Sequence, residues 1–203
     1  MTQAGIDYEP SGAWPEIPSA DVEVDFDIEW DFENRIYLWG LRVRQAQDDT
    51  TAVFDPVVSY EPLDEAGEAT LAGQFADRLR SVITGAETAG RTVRIFHWSD
   101  PERSRTRKYP EIDALLEGRA LDLLAWLNNH FLTCRGGSIK AVAPIFGFEW
   151  AVEDAGGAQS QVKIDLARSD GDEGRAAREW LHCYNECDVA AQAAIRDGLR
   201  SAR

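Results

Sequence analysis

Nine residues, Val22 to Trp30, read V-E-V-D-F-D-I-E-W and carry two acids, Asp27 and Glu29, at a spacing that suits metal chemistry. On a strand successive side chains point to opposite faces, so residues two apart share a face about 7 Å from each other. Carboxylates held that close repel unless a positive charge sits between them. A divalent ion is the usual answer, because hard cations take oxygen ligands and Mg2+ typically uses one or two carboxylates plus substrate phosphate. Taken alone, the alternation reads first as the solvated face of a one-sided sheet. Three later stretches bear on that choice.

In Tyr184-Asn185-Glu186-Cys187-Asp188 the first and last residues are four apart, so on a helix they share a face one turn from each other. A phenol above a carboxylate can hold a water or the attacked phosphate while the carboxylate binds an ion. A half-buried tyrosine on any helix gives the same pattern. His97 to Glu102 follows a short apolar run, Thr92 to Phe96, at the end of an expected central strand, where open α/β sheets place ligands. Glu102 there reaches inward as a metal ligand or substrate contact, or merely complements a helix dipole. His97 is a substrate contact or a satisfied histidine at a strand end. Leu121-Asp122-Leu123 sets one acid in an apolar run, where an Asp is paired, capping or catalytic.

The elements that must carry these residues follow from periodicity. Val22, Val24, Phe26 and Ile28 alternate with acids as a half-buried strand, and Arg35 to Arg44 reads as its hairpin partner. Thr50 to Tyr60 reads as a third strand, and Leu71, Phe75, Leu79, Val82 and Ile83 give Asp64 to Ala86 a helical period. Ser99 or Asp100 caps a helix expected to run to about Leu116, with Pro101 at its first position. Leu121 to Phe131 reads as a strand end passing into a helix, and Ser138 as the cap of a short helix through Ala143. Asp154 to Gln159 reads as a loop; Asp172 to Tyr184 and Asp188 to Leu199 read as nearly continuous helix. Residues 1–20, with Pro10, Pro15 and Pro18, read as a flexible leader or linker before a domain over 21–203.

Composition narrows the classes. With 203 residues, 44% hydrophobic and 28% charged, the chain suits one soluble domain with a full core. No apolar run approaches the ~20 residues that cross a bilayer. The start M-T-Q-A-G-I-D-Y lacks a basic region and a hydrophobic block, and Cys134, Cys183 and Cys187 form no framework, so a cytoplasmic location is expected. The net charge of −15 speaks against a nucleic-acid binder, since phosphate contacts need Lys and Arg. Acids gathered at a metal are neutralised by it, however, and Arg91, Arg94, Arg103, Arg105, Arg107 and Lys108 cluster in sequence.

D-I-E in the first strand, H-W-x-x-x-E after the fourth, L-D-L, the block S-I-K-A-V-A-P-I-F-G-F-E-W and Y-N-E-C-D stand in one order over about residues 20 to 200. That ordered set resembles the RNase H-like, DnaQ-type 3′–5′ exonucleases, the group with four acidic metal ligands and, in one variant, a tyrosine. It is most similar to the exonuclease-like domain that accompanies a RecB-family nuclease domain in bacterial proteins. The resemblance implies an α/β fold with a mixed five-stranded sheet flanked by helices. It also implies two divalent ions, Mg2+ or Mn2+, held by Asp27, Glu29 and Asp188, with Tyr184 orienting water. Members carry an Asp in an Asn-x-x-x-Phe-Asp-like motif at the third position; here Glu102 takes that place, with Asp122 in reserve. Lys140 of the Ser-x-Lys motif would contact phosphate or serve solubility, and Trp30, Trp98 and His97 would meet substrate.

Such a site supports two-metal phosphodiester hydrolysis of single-stranded nucleic acid, with DNA favoured over RNA and the 3′–5′ polarity implied by the resemblance alone. Core packing is the plainer reading for each tryptophan taken singly. The partner expected besides the strand is a RecB-like nuclease or helicase domain of a longer protein, with no membrane. Gly85 to Thr92 mimics a P-loop but has Arg91 where the phosphate-binding Lys belongs, and His182, Cys183 and Cys187 fit no zinc spacing. Two other classes stay open: a non-catalytic RNase H-like module that binds nucleic acid or a partner nuclease or helicase, and a structural appendage whose acids are solvated.

Overall fold

The computed structural model describes residues 10–131 and 137–202 in full and the backbone of 2–3 and 6–7. Cys134 and Gly136 lie outside the described residues. A small antiparallel hairpin of β1 (Thr2–Gln3) and β2 (Ile6–Asp7) comes first. Residues 11–20 have no regular structure, yet they are pinned to the body. Ile17 is buried, and the Trp14 indole meets Phe131 edge-on at 5.4 Å while donating to the Leu199 carbonyl at 3.3 Å.

The main sheet is built from β3 (Val22–Trp30), β4 (Ile36–Gln45), β5 (Asp48–Phe54), β7 (Val93–His97) and β8 (Ala120–Asp122), in the order β5-β4-β3-β7-β8. Neighbours β3, β4 and β5 are antiparallel, whereas β7 and β8 run parallel to β3. The two-residue β6 (Val57–Val58) adds to β4. The single third strand expected over Thr50–Tyr60 is therefore split, and Pro56, which has no N–H to give to a ladder, stands at the break. The β3–β4 turn closes through Asp31, whose carboxylate accepts the N–H groups of Glu33 and Arg35 at 3.0 Å each. Ala46 and Gln47, both at positive φ, make the two-residue β4–β5 turn, the backbone that matches strand twist.

Helix α1 (Glu65–Thr88), capped by Asp64, lays Leu71, Phe75, Leu79 and Ile83 against Val22, Val24, Phe26 and Ile28. Each such side chain fully buried contributes about 1.5–3 kcal/mol, so this face holds the sheet together. The helix expected to run to Leu116 is two: α2 (Asp100–Thr106) and α3 (Pro110–Leu116). Pro110 disfavours helical backbone at Tyr109, which sits at φ −114° and ψ 93°. Then come α4 (Leu123–His130) and α5 (Ile139–Val142).

On the opposite face lie α6 (Gly157–Ala167) and the 30-residue α7 (Asp172–Ser201), one unbroken helix. The loop expected over 154–159 ends where α6 begins. Its Gly156-Gly157 start carries no capping side chain, which hid the helix from sequence reading. No helix among the described residues is long and apolar enough to cross a membrane. The architecture is an α/β sheet with helices on both faces.

Candidate metal centre and cleft

The polar side chains of β3 all turn toward α6 and α7. Glu23, Asp25, Glu29 and Asp31 are buried and Asp27 is half-buried, so the solvated-face reading fails. At the start of the strand, arginines match the acids. Glu23 pairs with Arg44 at 2.7 Å, Arg196 at 3.3 Å and Arg200 at 2.5 Å; Asp25 takes a two-pronged contact from Arg196, with Arg42 at 3.7 Å. At the far end Arg168 reaches Asp31 at 2.6 Å. Between these pairs, Asp27 and Glu29 meet no arginine. Asn185 Nδ2 donates to Asp27 at 2.7 Å, and Ser160 Oγ to Glu29 at 2.6 Å.

Helix α7 runs antiparallel to β3 and presents every fourth residue to it. Arg200 and Arg196 stand by Glu23 and Asp25, Gln192 donates to the Phe26 carbonyl at 3.1 Å, and Asp188 and Tyr184 arrive beside Asp27 and Glu29. Its approach depends on Gly40, the β4 residue paired with Asp27. A Cβ at that position would lie 1.8 Å from Asn185 Oδ1.

One carboxylate oxygen each from Asp27, Glu29 and Asp188 falls within a 4.8 Å span. Asp188 accepts from Trp150 Nε1 at 2.6 Å and from Lys140 Nζ, and Tyr184 lines the same cleft one helical turn away. Lys140 comes from α5, where Ser138 Oγ accepts its N–H at 3.2 Å, and its ammonium lies over the rings of Tyr184 at 4.4 Å and Trp150 at 4.5 Å. Glu102, in the first turn of α2, accepts the Ser99 N–H at 3.3 Å as a helix cap and lines the same cleft as Asp27, outside the three-acid cluster.

These acids hold protons unusually tightly. Burial, then the charge of Asp188, pushes Glu29 up to about 8; burial pushes Glu102 up to about 7. Asp27 is raised well above the usual range by burial and then by Glu29. Burial also raises Asp188, against the pull of Lys140, and drives the Tyr184 phenol up, with Glu29 adding to it. Glu23, on the same strand face, is instead lowered by its arginines despite its burial. The contrast marks a pocket of negative charge that the chain's own cations leave largely unmatched. An all-oxygen set of this kind fits a hard divalent ion, held by Asp27, Glu29 and Asp188 with Glu102 at the edge.

The centre opens into a cleft of about 320 Å3 walled by Trp98, Gly137–Lys140, Gly156–Gly157, Tyr184 and Gln192. Other expected contacts fall elsewhere. Trp30 sits on the opposite face of β3, under the guanidinium of Arg105 at 4.0 Å and against the α1 core. His97 is buried against Phe26, with Nδ1 2.8 Å from the Ser99 carbonyl, and burial lowers its pKa: a satisfied core histidine. Asp122 caps α4 through the Ala125 N–H at 2.8 Å and is outside the three-acid cluster. Trp98 does line the cleft, its indole donating to the Gly137 carbonyl at 3.2 Å.

The arginine-rich stretch after residue 90 is largely spoken for. Arg103 pairs with Asp113 at 2.8 Å, Lys108 with Glu68 at 2.6 Å, and Arg91 with Gln45 at 2.5 Å. Sequence reading missed Ser160, Asn185, Trp150 and Gly40. Asn185 and Trp150 stood inside motifs already singled out, whereas Ser160 fell beyond a stretch read as loop and gave no signal.

A mixed sheet with a central acid-bearing strand and a closing acid on the last helix is the RNase H-like arrangement. The sequence matches the family model of the RNase H superfamily over residues 24–200, and the chain belongs to that superfamily. No curated protein and no solved structure gives a significant match.

Proposed function

We propose that the chain is a metal-dependent 3′–5′ exonuclease of single-stranded nucleic acid, with DNA favoured, of the DnaQ type with a tyrosine. The observation that carries this reading is the cluster of Asp27, Glu29 and Asp188 within 4.8 Å, buried or half-buried and without an arginine, on a cleft that Tyr184 also lines. Asp27, Glu29, Asp188 and Glu102 would hold two Mg2+ or Mn2+ ions, which supply the charge that activates water and stabilises the leaving oxygen. The chain's own side chains do the positioning. Asn185 and Ser160 fix the two strand carboxylates, Tyr184 aims a water from its place one helical turn from Asp188, and Lys140 meets phosphate negative charge. Trp98 forms an apolar wall of the cleft.

A RecB-like nuclease or helicase domain of a longer protein is the partner this reading carries, and a cytoplasmic location goes with it. The rival, a non-catalytic module that binds nucleic acid or such a partner, draws on the net charge of −15 and on Lys140 as the cleft's one lining cation among the described residues. The deciding experiment is degradation of 5′-labelled single-stranded DNA and RNA with Mn2+ or EDTA. A metal-dependent ladder shortening from the 3′ end is expected, reduced on the order of a thousand-fold or more in Asp27→Asn. Retention of the strand without any cleavage would decide for the binding module.

A further inference from the structure

We propose that Lys140 is a built-in competitor at the metal centre: its ammonium holds the place of one divalent ion on Asp188, so the chain takes up a single ion until that lysine leaves. The inference rests on the nuclease reading above and deepens it, since it states when the second of the two ions can enter. Lys140 Nζ and Trp150 Nε1 both donate to one oxygen of Asp188, Oδ1, the indole at 2.6 Å. A carboxylate oxygen offers about two lone-pair sites, so Oδ1 is filled and Asp188 keeps its other oxygen for one ion. The ammonium also lies over the ring faces of Tyr184 at 4.4 Å and Trp150 at 4.5 Å, two cation–π contacts that hold it there. Its charge reaches past Asp188, pulling Asp27 and Glu29 toward their ionised forms against their burial. One positive charge thus serves all three acids of the cluster, as an ion would.

Lysine suits a place that must be vacated. Its charge is compact and rides on a flexible four-carbon stem, whereas an arginine fork locks to its carboxylate. The Lys140 side chain is 24% exposed on the cleft wall, so its head has a way out. Its root does not move with it, because Ile139 and Val142 are buried in the core and Ser138 caps the turn. Arg44 and Arg196, which pair with Glu23 and Asp25 on the same strand, have fully buried side chains and no such exit. Charge balance points the same way. When ionised, Asp27, Glu29, Asp188 and Glu102 carry four negative charges, which two divalent ions match; Lys140 in place besides would leave the centre positive. With the ammonium on Asp188, one ion comes nearest to neutrality.

The test counts ions on the full chain by Mn2+ titration, read through the electron paramagnetic resonance of free Mn2+, in wild type, Lys140→Met and Lys140→Arg. Methionine keeps an apolar stem over the two rings and drops the charge; arginine keeps the charge. Wild type and Lys140→Arg are expected to take up one tight ion and Lys140→Met two, with its first ion held about tenfold or more tightly than in wild type. Raising the salt should leave these counts unchanged, because a filled place, unlike a distant charge, is not screened. Two tight ions in wild type, or one in Lys140→Met, would overturn the proposal, and the wild-type count decides by itself if a variant does not fold. If wild type takes two ions and cleaves single strands with Mn2+, only the role of the lysine has failed. If no variant takes up Mn2+ and none cleaves, the nuclease reading falls with it.

Discussion

Loading the candidate centre with a divalent ion should expel protons, and the number follows from the carboxyls. At pH 7 a group titrating at about 8, as Glu29 does, is roughly nine-tenths protonated, and Glu102 at about 7 is about half. Asp27 is shifted in the same direction. A cation that binds the deprotonated oxygens must therefore displace about one proton or more at pH 7, fewer at pH 9 and more at pH 6. Titration of Mg2+ or Mn2+ in two buffers of very different ionisation enthalpy at one pH reads this number as the difference in heat. Glu29→Gln should lower it by nearly one. The sign carries over to stability. A carboxyl raised in the folded state destabilises the metal-free fold as pH climbs from its ordinary value near 4.5 to about 8, for Glu29 by several kcal/mol. The melting temperature with EDTA should fall across that window, and saturating metal should cancel the fall. Equal heats in both buffers, together with a flat melting profile, would refute the argument that this cluster is a cation site stored in protonated form.

Two further substitutions probe how the site is held. Gly40→Ala places a methyl 1.8 Å from Asn185 Oδ1, so the Asn185 amide must leave its place on Asp27 or α7 must retreat from β4. Overpacking of that kind costs about 1–3 kcal/mol in urea denaturation, and metal affinity should fall with it. Adding Asn185→Ala should recover part of the stability but not the affinity, and a neutral Gly40→Ala would show that the contact is slack. Arg196→Met leaves Asp25 and Glu23 buried with fewer partners, which should cost about 3–5 kcal/mol, partly regained when Asp25→Asn is added. Because Glu23 is lowered in the folded state, its share is present above its ordinary value and lost as pH falls below it.

The hydrophobic half of the fold was legible because one physical rule covers it. Val22, Val24, Phe26 and Ile28 announce a strand by period two, and Leu71, Phe75, Leu79 and Ile83 announce the helix that covers them. Asp27, Glu29 and Asp188 were legible as a candidate set through their order along the chain, and the structure brings them together. Trp30 shows where local reading misleads. Being next to Glu29 in sequence puts it on the other side of the sheet, so adjacency argued for contact when the pleat forbade it. His97 failed for another reason: its partner is the carbonyl of Ser99, and a backbone atom leaves no trace in composition. Helix α6, opened by two glycines and no cap, offered no signal, and Ser160 went unseen with it.

The acid face of β3 explains why one helix can serve both stability and chemistry. Four acids on one strand face would not bury without compensation, and α7 supplies it unevenly. Its last turns give Arg196 and Arg200, which neutralise Glu23 and Asp25 and dock the helix. About two to three turns nearer its N-terminus the same face delivers Asp188 and Tyr184, an acid where a further arginine would have completed the pattern. That substitution of like charge for opposite charge is costly for a mere structural contact, and Lys140 offsets only one of the negative charges it gathers. Folding energy from the arginine end therefore holds the carboxylate end together, which is the arrangement a cation site needs: ligands positioned by interactions other than the ion itself.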